Sequence, residues 1–136
     1  MFSAFDVSTS GLVAQRTRLN AISSNLANMS TTRNEAGALE PYKPRFVVFQ
    51  TDDQIGTPGG GAGVKVSSVG ISDVAPRMKF MPGHPDADEN GYVAFPNIDM
   101  VTEFVDAMEA TRAYEANIGA IEVSKDLERQ TLRILV

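Results

Sequence analysis

The chain has 136 residues, of which 43% are hydrophobic, enough for one modest domain or two small subdomains. Its formal net charge of −5 and its pI near 4.8 argue against nucleic acid as a partner, because no basic patch offsets the acids. The absence of cysteine excludes a disulfide framework and a thiolate metal site, and no apolar run approaches the roughly eighteen residues of a membrane-spanning helix.

The N-terminal segment, residues 2–29, carries a heptad pattern that predicts a long helix. The pattern steps alternately by three and four residues through Phe5, Ser8, Leu12, Gln15, Leu19, Ile22, Leu26 and Met29. Only Asp6, Arg16 and Arg18 are charged, whereas a monomeric surface helix normally carries more charge. Two interpretations remain open: an ordinary amphipathic helix in a two-helix hairpin, or a helix enclosed by other chains.

The start of the chain lacks the basic region and the apolar region of a Sec-type signal peptide. From the composition alone we expect a cytoplasmic protein without direct membrane insertion.

The middle of the chain, residues 31–96, changes from helical to strand periodicity. Three short strands are predicted there, Arg45–Gln50, Val64–Val69 and Tyr92–Phe95. The glycine-rich stretch at residues 56–63 predicts a flexible connection, and Phe80–Gly83 predicts a turn. We therefore expect a small β-rich lobe between two helical segments.

The C-terminal segment, residues 97–136, predicts a second, longer helix. Asn97 follows Pro96 and is expected to cap it, because an Asn side chain can accept from the free amides of the first turn. One apolar set follows a heptad spacing through Met100, Phe104, Ala107, Thr111, Tyr114, Ile118 and Ile121. A second set lies roughly 100–180° around the helix and comprises Val101, Val105, Met108, Val123, Leu127 and Ile134. One intramolecular partner covers only the first set, so the second faces something else or remains exposed.

These patterns predict an α+β fold in which two long terminal helices pair as an antiparallel coiled coil around an inserted β-rich lobe. The expected helical domain is residues 1–30 with residues 97–136, and the expected inserted domain is residues 31–96. We assign the intramolecular seam to Leu12, Leu19, Ile22, Leu26, Phe104, Ile118 and Ile121. We assign a subunit interface to Val105, Met108, Val123 and Leu127.

The candidate catalytic and metal-binding patterns are incomplete. Residues 86–91 match the first six positions of a calcium loop, but the twelfth position is Asn97 in place of the bidentate Glu. The glycine-rich stretch fits no phosphate-binding spacing, and His84 is the only histidine. No catalytic residue, cofactor site or metal site is therefore predicted, and we expect a structural protein.

Short motifs at both ends resemble those of flagellar rod and hook proteins. They are, in chain order, Ser10–Arg16, Arg18–Asn20, Ser23–Asn28, Gly91–Val93, Pro96–Asp99, Glu103–Val105 and Thr111–Asn117. In the middle of the chain, Val47–Phe49 and Gly63–Val66 are similar to the FlgC family of proximal rod proteins. The resemblance extends over almost the whole chain.

The resemblance implies a structural subunit of the bacterial flagellar basal body, polymerised through its terminal helices into the tubular shaft that transmits torque and contains the export channel. It also implies further copies of the chain and the rod proteins FlgB, FlgF, FlgG and FliE as partners. The implied location is the periplasmic rod, reached through the flagellar type III export apparatus without a cleaved signal peptide.

Three alternatives remain open. The chain could be another axial protein of the rod and hook family. It could instead be a cytoplasmic coiled-coil adaptor with one partner, or a small calcium-responsive or hydrolytic domain.

Overall fold

The computed structural model describes residues 2–134, which form an α+β fold as the sequence predicts. In chain order the elements are α1 (Phe2–Ala27), β1 (Arg45–Gly56), β2 (Ala62–Ile71), β3 (Arg77–Phe80), β4 (Tyr92–Phe95) and α2 (Met100–Ile134). Residue 1 and residues 135–136 of the expected helical domain lie outside the described residues. Neither described helix is both long enough and apolar enough to cross a membrane.

The two helices lie antiparallel along one another. Asn25, near the end of α1, bonds to Glu103 near the start of α2, whereas Gly11 lies against Asn117 farther along. With 35 residues, α2 is about 52 Å long, against about 39 Å for α1. By this register the start of α1 is level with about residue 126, so the last two turns of α2 extend roughly 12 Å beyond it.

The N-terminus of α2 is capped by Asp99 rather than by Asn97. The Asp99 carboxylate accepts a hydrogen bond from the Thr102 hydroxyl at 2.7 Å and one from the Thr102 amide at 3.3 Å. A cap must stand immediately before the first helical residue, and the helix begins at Met100. These hydrogen bonds lower the pKa of Asp99, the Thr102 hydroxyl being the main cause.

The lobe contains two separate antiparallel hairpins. In the first, β1 pairs with β2 through a connection in which the Thr57 amide donates to the Gly61 carbonyl. Gly60 there has a φ of 85°, which only glycine adopts readily, so the glycine-rich stretch is a tight turn. In the second, β3 pairs with β4, and β3 occupies residues that the sequence did not predict as a strand.

The core is small, and its buried residues belong to α1, to β4 and the segment that follows it, and to α2. Its buried residues are Ala14, Ala21, Ile22, Asn25, Val93, Pro96, Ile98 and Ala110. The lobe packs on α1 through the β1–β2 hairpin. Most of the large hydrophobic side chains of α2 are left outside this core.

Candidate assembly surfaces

The closest packing between the helices involves small residues. Ala14 of α1 and Ala110 of α2 are fully buried. A Cβ atom placed on Gly11 would lie 2.8 Å from Oδ1 of Asn117, so the Asn117 side chain is packed directly against this glycine. Small side chains let two helix backbones come together with extensive van der Waals contact.

The residues predicted for the intramolecular seam differ widely in burial. Ile22 is buried, and Leu12, Leu19, Leu26 and Ile121 are half-buried. Phe104 is 53% exposed and Ile118 is 39% exposed. The seam assignment stays a prediction. The closest contacts between the helices are made by smaller residues, which were not chosen for the seam because the choice favoured large apolar side chains.

Charged side chains line one edge of the helix pair. Arg18 of α1 bridges two carboxylates of α2, with its Nη2 atom 3.3 Å from Asp106 Oδ1 and 3.3 Å from Glu109 Oε2. Pairs this exposed contribute little to stability, typically about 0–1 kcal/mol. These pairs instead favour one register of α1 against α2, because a shift of one helical turn removes both contacts.

A polar junction centred on the buried side chain of Asn25 joins α1, α2 and the lobe. It consists of Asn25, Tyr42, Arg45 and Glu103. The Asn25 side chain is 3% exposed, and its Oδ1 atom accepts from the Arg45 amide at 2.8 Å and from the Tyr42 hydroxyl at 3.2 Å. Its Nδ2 atom donates to the Arg45 carbonyl at 2.9 Å and to the Glu103 carboxylate at 3.2 Å.

Burial changes the titration of two junction residues. It raises the pKa of Glu103; the Asn25 hydrogen bond acts against that rise and the Asp106 charge adds to it. Burial also raises the pKa of Tyr42. The hydrogen-bond partners of Asn25 are distant in sequence. The local pattern of α1 therefore did not indicate that Asn25 lies at the centre of this junction.

The acidic segment that matches only the first half of a calcium loop forms a second polar tie. The Asp86 carboxylate accepts from the Thr32 hydroxyl at 2.6 Å and from Arg33 Nε at 2.8 Å, which joins the segment after α1 to the loop between β3 and β4. These bonds lower the pKa of Asp86, the Thr32 hydroxyl being the largest cause. His84 Nδ1 accepts from the Asp86 amide at 3.0 Å. Among residues 2–134, no three acidic, histidine or cysteine side chains are placed to hold a metal ion.

The residues predicted for a subunit interface lie on the surface of the single chain. Val105, Met108, Val123 and Leu127 are each more than half exposed. We call these four residues, with Val101 and Ile134 on the same side of α2, the outer strip; the two added residues are exposed as well. Leu127 and Ile134 lie at or beyond the level of the start of α1. The strip has two parts, Val101–Met108 and Val123–Ile134, with Arg112 and Glu115 exposed between them. Exposed apolar patches on a folded chain are typical of protein-binding sites.

Both ends of the chain match known family models. Residues 5–33 match a family described as flagella basal body rod protein, and residues 89–134 match one described as flagellar basal body rod FlgEFG protein C-terminal.

Proteins similar over the full length carry one name. The chain is 42% identical over 134 residues to the flagellar basal-body rod protein FlgC of Salmonella typhimurium, covering 98% of this chain and 97% of the relative. It is 38% identical over 145 residues to FlgC of Bacillus subtilis, with coverages of 98% and 97%. Against FlgC of Borreliella burgdorferi the identity is 38% over 152 residues, with coverages of 99% and 97%.

Proposed function

The chain belongs to the FlgC family of flagellar basal-body rod proteins and is a structural subunit of that rod, and we propose that it polymerises there through the outer strip of α2. The observation that carries the proposal is an α2 helix with large apolar residues exposed on the side away from α1. An exposed strip of this size on a subunit of a filament is best explained by contact with neighbouring subunits.

Burial of this strip between subunits would favour assembly. Fully burying a Val, Leu or Met side chain stabilises by about 1.5–3 kcal/mol relative to full exposure. At 58% exposure, Leu127 still has roughly 1–2 kcal/mol to gain. Several such residues in each subunit, repeated at each contact, stabilise a tube by far more than surface ion pairs do.

The geometry also supports two domains with different roles. We assign residues 1–30 with 97–136 to a helical domain that builds the wall of the rod, and residues 31–96 to a lobe inserted in it. The antiparallel helices and the overhanging end of α2 support this assignment, because α1 does not cover the overhang and leaves it accessible to other chains.

The finer features follow from family membership. We propose that the chain occupies the proximal rod in the periplasm, where further copies and FlgB, FlgF, FlgG and FliE are its neighbours. It would reach that place through the flagellar type III export apparatus without a cleaved signal peptide, and the assembled tube would contain the export channel. The proposed role is structural rather than enzymatic, with no cofactor.

Replacement of Leu127 tests the outer strip. Leu127→Glu removes apolar burial and desolvates an unpaired carboxylate at each subunit contact, which costs several kcal/mol. We expect normal expression and export, no assembled rods in electron micrographs of basal bodies, and no swimming. The matched control is Leu132→Glu, since Leu132 is 59% exposed but lies about 140° around the helix.

The control variant is expected to assemble and swim. Motility of the Leu127→Glu strain at the wild-type level would remove the outer strip as an interface. Equal loss of assembly in both variants would show that no particular face of α2 carries the contact.

A further inference from the structure

The β1–β2 hairpin lies lengthwise along α1 and is hydrogen-bonded to it at both ends. At the start of β1, the Asn25 side chain makes two bonds to the backbone of Arg45. Near the start of β2, Ser10 Oγ accepts a hydrogen bond from the Val64 amide at 3.0 Å. The hairpin therefore forms a strap, residues 45–71, attached near the two ends of the same helix.

The two attachments differ in strength. Asn25 is almost completely buried, and its hydrogen bonds reach three other residues. Ser10 is half-buried and makes one hydrogen bond to the strap, while its hydroxyl donates to the Val7 carbonyl of its own helix. A single neutral hydrogen bond near solvent opens more easily than the two bonds that a nearly buried Asn25 makes to the strap backbone, which its bonds to Tyr42 and Glu103 hold in place.

An open groove of about 510 Å³ lies between the strap and α1 at the Ser10 end. It is lined on the helix side by Thr9, Val13 and Thr17 and on the strap side by Ile55, Val64 and Val66. Val13 remains about half exposed there, so the strap covers this part of α1 only partly. Local openings concentrate where buried apolar contacts are few.

Close contact at the Ser10 end depends on Gly63. This glycine is buried, and a Cβ atom there would lie 2.8 Å from Ile55 Cβ and 3.1 Å from Ser10 Oγ. A side chain at this position would press against both the helix and the strap. At Ser10 the strap is therefore packed closely against α1 but is held by a single hydrogen bond.

From these observations we propose that the strap is a hinged element: it pivots at Asn25 and releases α1 at the Ser10–Val64 hydrogen bond while the helix pair stays folded. The proposal concerns the free chain and does not depend on assembly into a rod. Release uncovers the groove side of α1 and leaves the core around Ala110 intact.

Amide hydrogen exchange of the full chain, followed residue by residue by NMR, tests the hinge. The Val64 amide points at Ser10 and reports on the released end, whereas the Arg45 amide points at Asn25 and reports on the pivot. We expect Val64 to exchange at least about tenfold faster than Arg45. Ser10→Ala is expected to accelerate Val64 by about tenfold more, the effect of one neutral hydrogen bond, without changing Arg45 or Ala110.

Two further variants sharpen the experiment. Thr17→Ala is the matched control, because the Thr17 hydroxyl lines the same groove but donates at 2.9 Å to the Val13 carbonyl within α1. It should leave the Val64 rate unchanged. Gly63→Ala should accelerate Val64 as Ser10→Ala does, since it pushes the strap off the helix.

Two results would overturn the proposal. In the first, Ser10→Ala accelerates Val64, Arg45 and Ala110 together, which means that the strap opens only with the whole fold. In the second, the Val64 rate does not respond to Ser10→Ala, which means that this hydrogen bond does not hold the strap.

Discussion

Asn25→Asp changes one atom of the buried junction and should strongly destabilise the monomer. The new carboxylate can still accept from the Arg45 amide and the Tyr42 hydroxyl. Its second oxygen, however, replaces the donor that now lies 2.9 Å from the Arg45 carbonyl and 3.2 Å from the Glu103 carboxylate. Two favourable contacts thereby become contacts between acceptors, one of them between two negative charges.

The distances set the size of the effect. Each buried polar group left without its partner costs about 1–3 kcal/mol. Two unit charges about 3.2 Å apart repel by up to roughly 5 kcal/mol at an effective dielectric constant of 20, but protonation of one carboxylate relieves this. We therefore expect Asn25→Asp to lower the free energy of unfolding at pH 7 by about 3–5 kcal/mol.

Urea denaturation of the monomer, followed by circular dichroism, measures this loss. Because the folded variant holds a proton that the unfolded chain releases, its stability relative to wild type should improve as the pH falls from 7 to about 5. Adding Glu103→Gln should recover about 2 kcal/mol, since the new amide can donate to the Asp carboxylate. Asn28→Asp is the matched control, because the Asn28 amide group donates to the Ser24 carbonyl within α1.

The control should cost at most about 1 kcal/mol. An Asn25→Asp variant as stable as wild type at pH 7 would contradict the reasoning. So would an equal loss with and without Glu103→Gln, because it would show that the two side chains are not coupled.

Three other sites give predictions about the free monomer. Gly119→Ala should stabilise by about 1 kcal/mol in thermal unfolding, because a Cβ there meets open space and Ala favours the helix. Gly11→Ala should instead destabilise the monomer, because its Cβ would lie 2.8 Å from the Asn117 side-chain amide. If Gly11→Ala and Gly119→Ala stabilised the monomer equally, close packing of the helices at Gly11 would be refuted. Because folding lowers the pKa of Asp86 from 3.8, its hydrogen bonds contribute their full stability above pH 3.8. That stability is lost as the pH falls through the pKa of Asp86 in the folded state. Asp86→Asn should therefore make the stability less dependent on pH in acid titrations monitored by circular dichroism, and an unchanged slope would show that the Arg33 tie contributes nothing.

The sequence predicted the elements that its own periodicity specifies. The heptads of the terminal segments correspond to α1 and α2, and the run Tyr92–Phe95 is β4. It did not predict β3, because Arg77–Phe80 is short, lies next to Pro76 and becomes a strand by pairing with β4. Pairing between distant segments is a tertiary effect that local patterns do not contain.

The candidate surfaces were harder to predict than the elements. Hydrophobic ranking places Phe104 inside, yet in the single chain more than half of it is exposed and Ala110 is buried. A heptad records which face is apolar, but the closest approach of two backbones favours the smallest side chains. The junction around Asn25 was missed for a related reason, because the position of its partner Arg45 follows only from the folded path of the chain.

A subunit that must polymerise has to fold with much of its apolar surface still uncovered. In this chain, small side chains pack the helices together, and large apolar side chains stay exposed. Small residues such as Ala14 and Ala110 hold the helices together, and the polar junction at Asn25 fixes their register with directional hydrogen bonds. Neither device uses the large side chains of the outer strip, of which Leu127 is an example. Since burial energy scales with apolar area, the large side chains of the strip have most of their burial energy still to gain, as the proposed contacts between subunits require.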